Sequence, residues 1–125
     1  MTDVVTNRTA VVTANTPVNS PIKFHNTLGD SQLESVMLVF PPGCVGLVGA
    51  RIEYGETPLY PNSEGGWYVL DDYTLVVNIT NQQTGGTWDI AAYNTDIYPH
   101  TIQVYYSWNY LPYPGQNQPT PLISM

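Results

Sequence analysis

Charged residues are scarce in this chain, and basic residues are the scarcest of them. Charged side chains make up 10% of the 125 residues, whereas soluble globular proteins usually contain about 25%. The 3 Lys and Arg residues against 10 Asp and Glu give a net charge of −7 at neutral pH. Arg8, Lys23 and Arg51 stand far apart in the sequence. We therefore predict no nucleic-acid partner, because such binding needs clustered basic side chains against the phosphates.

Cysteine and long apolar runs are also nearly absent. Cys44 is the only cysteine, so a disulfide within the chain is excluded. No apolar run reaches the roughly 18 residues of a membrane-spanning helix. The first residues carry neither the basic nor the apolar region of a secretory signal. We expect neither a membrane partner nor an export signal.

The residues that are present favour β-structure. Ala, Glu and Lys are few, whereas β-branched and aromatic residues are common, and 10 Gly and 11 Pro punctuate the chain. Short strands at such spacing are typical of all-β domains. We predict a single β-sandwich, of jelly-roll or immunoglobulin-like type, with six or seven strands.

The strands can be placed approximately. Residues 35–40 are apolar on both faces, which predicts a central strand. Residues 47–54 and 102–111 alternate, which predicts strands with one buried face. Residues 67–70 and 73–79 are predicted to form a hairpin that turns at Asp71 and Asp72. Residues 84–86 are predicted to form another turn before a strand at residues 87–93.

The two termini differ from the body. Residues 1–28 are predicted to be an extended arm or an edge strand, residues 29–111 the sandwich body, and residues 112–125 an extended tail. Four prolines in that tail each remove a backbone donor. We predict that both termini contact other subunits, through the residues Val5, Arg8, Val11, Pro17, Pro21, Tyr110, Pro112, Tyr113 and Pro114.

Catalytic and metal sites have little support in the sequence. Cys44 could pair with His25 or His100 as a nucleophilic dyad, but its surroundings favour a small buried apolar residue. His100 is better explained as a residue that stabilises a turn. No pair of carboxylates is selected for hydrolysis. Loop aspartates, namely Asp71 with Asp72 or Asp89 with Asp96, leave a calcium site as an alternative. We predict no enzymatic activity, no cofactor and no resident metal.

The aromatic residues leave one alternative function open. Trp67, Trp88 and Trp108 could form an exposed platform that stacks on sugars, as in carbohydrate-binding modules. The alternation of the strands instead predicts that these tryptophans are core residues.

Three stretches carry a resemblance to a known group of proteins. They read FPPGCVGLVG at residues 40–49, WYVLDD at residues 67–72 and WDIAAYNTDIYPHT at residues 88–101. These stretches resemble small β-sandwich virion proteins of tailed bacteriophages, particularly those that infect actinobacteria. The resemblance implies a non-enzymatic structural protein of the virion, made in the bacterial cytoplasm. A capsid decoration protein is the first expectation, and a neck or tail component is the alternative.

The composition agrees with that expectation. Large protein interfaces are poor in Lys, Glu and Asp and rich in Tyr and Trp. We predict a homo-oligomer whose partners are its own copies and other virion proteins, such as the major capsid protein or neck and tail proteins.

Overall fold

The chain is all-β, as its composition predicts. The computed structural model describes residues 3–63, 65–80 and 83–110, and these residues form eight strands and no helix. The strands are β1 (Asp3–Val12), β2 (Ile22–Phe40), β3 (Val48–Tyr54), β4 (Thr57–Tyr60), β5 (Tyr68–Val69), β6 (Tyr73–Asn78), β7 (Thr84–Asn94) and β8 (His100–Tyr110).

Every pairing between these strands is antiparallel. The sheet has the order β1-β8-β2-β7-β3-β4, with β5 also paired to β3 and β6 also paired to β2. β1 is an edge strand, and it pairs with β8 over its whole length, from Asp3 opposite Asn109 to Val12 opposite His100. The boundary predicted between residues 28 and 29 falls inside β2, and the predicted tail at residues 112–125 lies outside the described residues.

β2 takes part in the sheet along two segments. Residues 22–28 pair with β7, whereas residues 31–39 pair with β8, and residues 35–40 pair with β6 on the other side. If β2 were straight, its 19 residues would span about 60 Å. The last residues of β7 pair near the beginning of β2 and the first residues of β8 pair near its end, so these two points would then lie far apart. Asn94 and His100 are joined by residues 95–99 alone, which span at most about 20 Å. β2 therefore bends sharply near Gly29 and Asp30, where its pairing registers shift.

The two segments of the sheet share one hydrophobic core. Side chains from β1, β2, β3, β7 and β8 belong to a single buried cluster. Among its fully buried members are Val12, Leu38, Ile52, Ile90 and Val104. Burial of this apolar surface, worth roughly 25 cal/mol per Å², is the main force that holds the bent sheet together.

The alternation predicted for β8 is confirmed, and that for β3 is confirmed on one face. Ile102, Val104 and Tyr106 are buried, and the residues between them are half-buried. On β3, Val48, Ala50 and Ile52 are buried as expected, but Gly49 and Glu53 on the opposite face are buried too. The second face of β3 is therefore covered by other parts of the chain.

The hairpin predicted at Asp71 and Asp72 is wrong. β5 pairs with Gly49 and Ala50 of β3, whereas β6 pairs with β2, so the two strands do not pair with each other. Asp71 Oδ1 instead accepts hydrogen bonds from the main-chain N–H groups of Gly43 and Val45, at 2.9 and 3.1 Å. The local turn signal is real, but long-range pairing decides the neighbours of each strand.

The turn predicted at residues 84–86 is also wrong, because these residues lie inside β7. Gly85 and Gly86 have φ values of 70° and 80°. Residues other than glycine rarely adopt such positive φ values. A Cβ atom on Gly86 would lie 2.2 Å from the hydroxyl oxygen of Tyr54. The glycines therefore let an irregular strand pass close to Tyr54.

Candidate functional site

Four successive rows on the outer face of β1, β8, β6 and the second half of β2 contain no charged side chain. Charged residues follow just outside these rows, with Asp3 opposite Asn109 and the exposed Glu34 at the register shift of β2. Residues directly opposite each other in antiparallel strands point to the same face, so the pairing registers define this surface row by row. It consists of Val5, Asn7, Thr9, Val11, Ser35, Met37, Val39, Thr74, Val76, Asn78, Thr101, Gln103, Tyr105 and Ser107. None of these is Asp, Glu, Lys, Arg or His. We call this surface the neutral face.

The middle of the neutral face is the most apolar part. Asn7, Tyr105, Met37 and Val76 form one row across the four strands. Tyr105 and Met37 are half-buried, while Val76 is 56% exposed and Val5 at the edge is 63% exposed. An apolar centre without charge, in a chain of net charge −7, is the composition of a protein interface rather than of an ordinary acidic surface.

The interface residues predicted on β1 lie on both of its faces. Val5 and Val11 belong to the neutral face. Arg8 points to the other side, where its Nη1 donates a hydrogen bond of 2.9 Å to the main-chain oxygen of His25 and its guanidinium lies 5.5 Å from the centre of the Phe24 ring. Arg8 thus joins β1 to the first half of β2 within its own chain.

The other predicted interface residues lie away from the neutral face or outside the described residues. Pro17 is exposed and Pro21 is half-buried, both between β1 and β2. The main chain of Tyr110 ends β8 opposite Ser31. The side chain of Tyr110, together with Pro112, Tyr113 and Pro114, lies outside the described residues.

Sequence reasoning missed the residues at the centre of the neutral face. The alternation of residues 102–111 did place Tyr105 opposite the buried side chains, and this was the available signal. The sequence predicts Met37 in a strand buried on both faces and Val76 in the hairpin that the structure does not contain. Only the pairing of β6 with β2 brings Val76 beside Met37.

The outer face of β7, β3 and the first half of β2 has the opposite character. Glu53 is completely buried there, with Arg51 Nε 2.8 Å from its Oε2 and Lys23 Nζ 3.0 Å from its Oε1. Arg51 donates a hydrogen bond to Glu53 Oε2. Lys23 forms an ion pair with Oε1, but the geometry of this contact is not that of a hydrogen bond. Asp89 of β7 is buried opposite Glu53 of β3, and its Oδ1 lies 2.7 Å from Nδ1 of His25. Lys23 and Arg51, which are distant in the sequence, therefore both contact the carboxylate of Glu53.

The tryptophans do not form a common open platform. Trp88 is 1% exposed, within the core. Trp67 is half-buried, and the guanidinium of Arg51 lies 4.1 Å from the centre of its ring, while Tyr93 packs against it edge to face. Trp108 is half-buried in β8. Arg51 therefore occupies one face of the Trp67 ring.

Of the two histidines named as possible partners of Cys44, His100 lies beside the preceding Gly43, whereas His25 contacts Asp89. Cys44 is fully buried, and a Cβ atom on the preceding Gly43 would lie 3.8 Å from His100. Burial raises the pKa of the Cys44 thiol to about 11, with Asp71 and Asp96 adding to the effect. The thiol is therefore protonated at neutral pH, which disfavours a nucleophile.

His100 has a structural partner. Its Nε2 lies 2.8 Å from Asp96 Oδ2, and both side chains are largely buried. Asn94 fixes the same loop, since its Nδ2 donates to the main-chain oxygens of Val12 and Tyr98. These contacts support the prediction that His100 stabilises a turn.

Metal-binding and membrane-spanning features are not found in the part of the chain that the structure describes. No group of three or more His, Cys, Asp or Glu side chains there is arranged to hold a metal ion. Nor does any helix of the described residues have the length and hydropathy needed to cross a membrane.

Comparison with known proteins does not place the chain in a family. No protein-family model matches the sequence, and no curated protein matches it.

Proposed function

We propose that this protein is a non-enzymatic structural subunit that assembles through protein–protein contacts of its neutral face. The observation that carries the proposal is the absence of charge from this face in a chain with a net charge of −7. Copies of such an acidic protein repel each other, and the repulsion is weakest where neutral surfaces meet. The apolar row of Tyr105, Met37 and Val76 then supplies the apolar centre of the contact.

The proposed architecture is a β-sandwich. The bend of β2 would place the segment made of β1, β8, β6 and the second half of β2 against the segment made of β7, β3 and the first half of β2. The single core cluster that draws on both segments supports this arrangement. The hydrogen bond from Arg8 of β1 to the main chain of His25 also supports the sandwich, because it joins a strand of one segment to the first half of β2 in the other.

The proposed assembly is a bacteriophage virion, in which the protein decorates the capsid or, alternatively, belongs to the neck or tail. The resemblance of residues 40–49, 67–72 and 88–101 to small virion proteins supports this proposal. Its partners would be its own copies and other virion proteins.

The experiment is a mass measurement of the purified full chain by light scattering, over a range of protein concentrations. We expect a discrete oligomer. Tyr105→Lys, at the centre of the neutral face, should reduce the oligomer to a smaller species because it buries a charge in the contact. The matched control is Thr27→Lys, which adds the same charge to an exposed position on the opposite outer face and should leave the mass unchanged.

A single-chain mass at every concentration would overturn self-assembly. An oligomer that tolerates Tyr105→Lys as well as it tolerates Thr27→Lys would overturn the neutral face as the contact. Circular dichroism and thermal unfolding of both variants establish that they remain folded.

A sugar-binding function would need an open aromatic ring, and Tyr73 and Tyr98, which are 53% and 64% exposed, are the most open aromatic side chains of the described chain. They are separate from the tryptophans that the sequence suggested, and we favour the structural subunit.

A further inference from the structure

Within the described residues, the outer edge of β1 has no paired strand along any of its length. β1 pairs with β8 on one side, and no strand of the described chain pairs with its other side. An unpaired strand edge exposes main-chain N–H and C=O groups and can pair with another strand. With 10 residues, β1 is much longer than β4 with 4 residues, where Pro58 interrupts the donors.

The usual protections of an edge strand are missing from β1. It contains no proline and no lysine, which are the residues that commonly prevent edge pairing. Its two charged residues are Asp3 at the start of the strand and Arg8, which is exposed on the opposite face and bonded to the main chain of His25. The outward side chains Val5, Asn7, Thr9 and Val11 are uncharged and exposed.

We propose that β1 pairs antiparallel with β1 of a second copy across a two-fold axis. This inference rests on the proposed function, because it takes the chain to be a self-assembling subunit. A strand that covers a ten-residue edge must itself expose an edge of comparable length. In the described chain β1 has the longest unpaired edge, since β4 and β6 have 4 and 6 residues. Residues 22–28 of β2 also pair on one side only, but this edge is shorter and the main-chain oxygen of His25 within it already accepts the hydrogen bond from Arg8. Antiparallel pairing of one strand with its own copy gives an isologous contact, which closes as a dimer.

Such pairing enlarges the neutral face. The face of one copy measures about 20 Å across four strands and about 24 Å along them, or about 480 Å² in projection. Stable interfaces usually bury about 800 Å² on each partner. A two-fold axis perpendicular to the sheet keeps Val5, Asn7 and Thr9 of both copies on the same side, so the two neutral faces become one continuous surface of about 960 Å². The dimer therefore provides the area that a single chain lacks.

The test compares one variant at the β1 edge of the neutral face with two variants on the neutral face away from that edge, together with a double variant. Asn7→Lys places a charge at the centre of the β1 edge, where it should raise the dimer dissociation constant at least tenfold. Val76→Lys adds the same charge to the neutral face at its far side, on β6, and should leave the dimer constant within twofold. Tyr105→Lys should leave a dimer, and the double variant Asn7→Lys with Tyr105→Lys should be a monomer. Sedimentation equilibrium measures all four proteins, and circular dichroism checks their folding.

The outcomes separate the two proposals. If Tyr105→Lys alone gives a monomer, or if Val76→Lys dissociates the dimer as strongly as Asn7→Lys, the copies meet through the neutral face, and edge pairing is overturned while the proposed function stands. If the wild-type chain is a dimer that tolerates Tyr105→Lys but not Asn7→Lys, edge pairing stands and the neutral face is overturned as the contact between copies. A monomeric wild-type chain overturns both. Loss of the dimer on removal of residues 111–125, with no effect of Asn7→Lys, would assign the contact to that segment and overturn edge pairing.

Covalent trapping gives an independent readout. Single variants Val5→Cys, Asn7→Cys and Thr9→Cys sample positions along the edge, and at least one should form a disulfide-linked dimer under mild oxidation. Cys44 is fully buried, so it can remain in place. Val76→Cys is the matched control and should stay unlinked. Equal linkage at Val76 and at the β1 positions would contradict edge pairing.

Discussion

Replacement of Glu53 by glutamine should destabilise the protein more than any other single change of charge in the described chain. Glu53 is completely buried and contacts two cations, Arg51 at 2.8 Å and Lys23 at 3.0 Å. Glutamine keeps the size of the side chain but leaves both cations without a counter-charge. Removal of one partner from a buried ion pair costs about 3–5 kcal/mol, while exposed pairs contribute less than about 1 kcal/mol.

The exposure of the two cations sets the expected value within that range. Arg51 is 19% exposed and Lys23 is 32% exposed, so water stabilises part of their charge once the carboxylate is lost. We therefore expect Glu53→Gln to lower the free energy of unfolding by about 3 kcal/mol, at the low end for a buried pair. The arginine would also lose the contact that holds it over Trp67, so the tryptophan fluorescence of the folded state should change.

Urea unfolding at neutral pH measures this effect. The matched control is Glu56→Gln, which makes the same chemical change on an exposed residue nearby and should alter the free energy of unfolding by less than about 0.5 kcal/mol. A loss below 1 kcal/mol on Glu53→Gln, on the order of a surface pair, would refute the assignment of Glu53 as the centre of a buried ion cluster.

Three further changes test other parts of the structure. Burial raises the pKa of the Cys44 thiol to about 11, so a thiol reagent at pH 8 should label the folded chain at least about 100-fold more slowly than the urea-unfolded chain. The hydrogen bond from His100 lowers the pKa of Asp96. The ionised Asp96 therefore stabilises the fold at pH values above the ordinary pKa of aspartate, and this stabilisation is lost as the pH falls through the lowered pKa. Asp96→Asn should consequently reduce the loss of unfolding free energy at acid pH, measured by urea unfolding over a pH series. Gly49→Ala would place a Cβ atom 2.3 Å from the packed ring of Tyr93 and should cost about 1–3 kcal/mol in urea unfolding, whereas Gly29→Ala meets nothing within 4 Å and should cost much less.

The sequence predicted strands well where burial alternates strictly. On β8 the period of two in Ile102, Val104 and Tyr106 identifies the inner face because each of these side chains is apolar and buried. The first half of β2 gave no such signal, since Lys23, His25 and Asn26 interrupt it. Lys23 and His25 are accommodated in the strand because Glu53 and Asp89 meet them from the neighbouring strands.

The neutral face could be predicted only in part. The outward position of Tyr105 follows from local alternation, but its neighbours depend on which strands pair. Gly85 illustrates the same limit at a turn. Two adjacent glycines are a strong local signal for a turn, yet here they let β7 pass close to Leu28, Gly29 and Tyr54, and no pattern within those few residues reports the distant contact.

The bend in β2 determines how the molecule comes apart. Because residues 22–28 hold β7 and residues 31–39 hold β8, one continuous strand belongs to both segments of the sheet. Neither segment can lose its order without removing a neighbour from the other. The fold should therefore open as one cooperative unit, and amide protons of β7 and β8 should share a single opening free energy in hydrogen exchange.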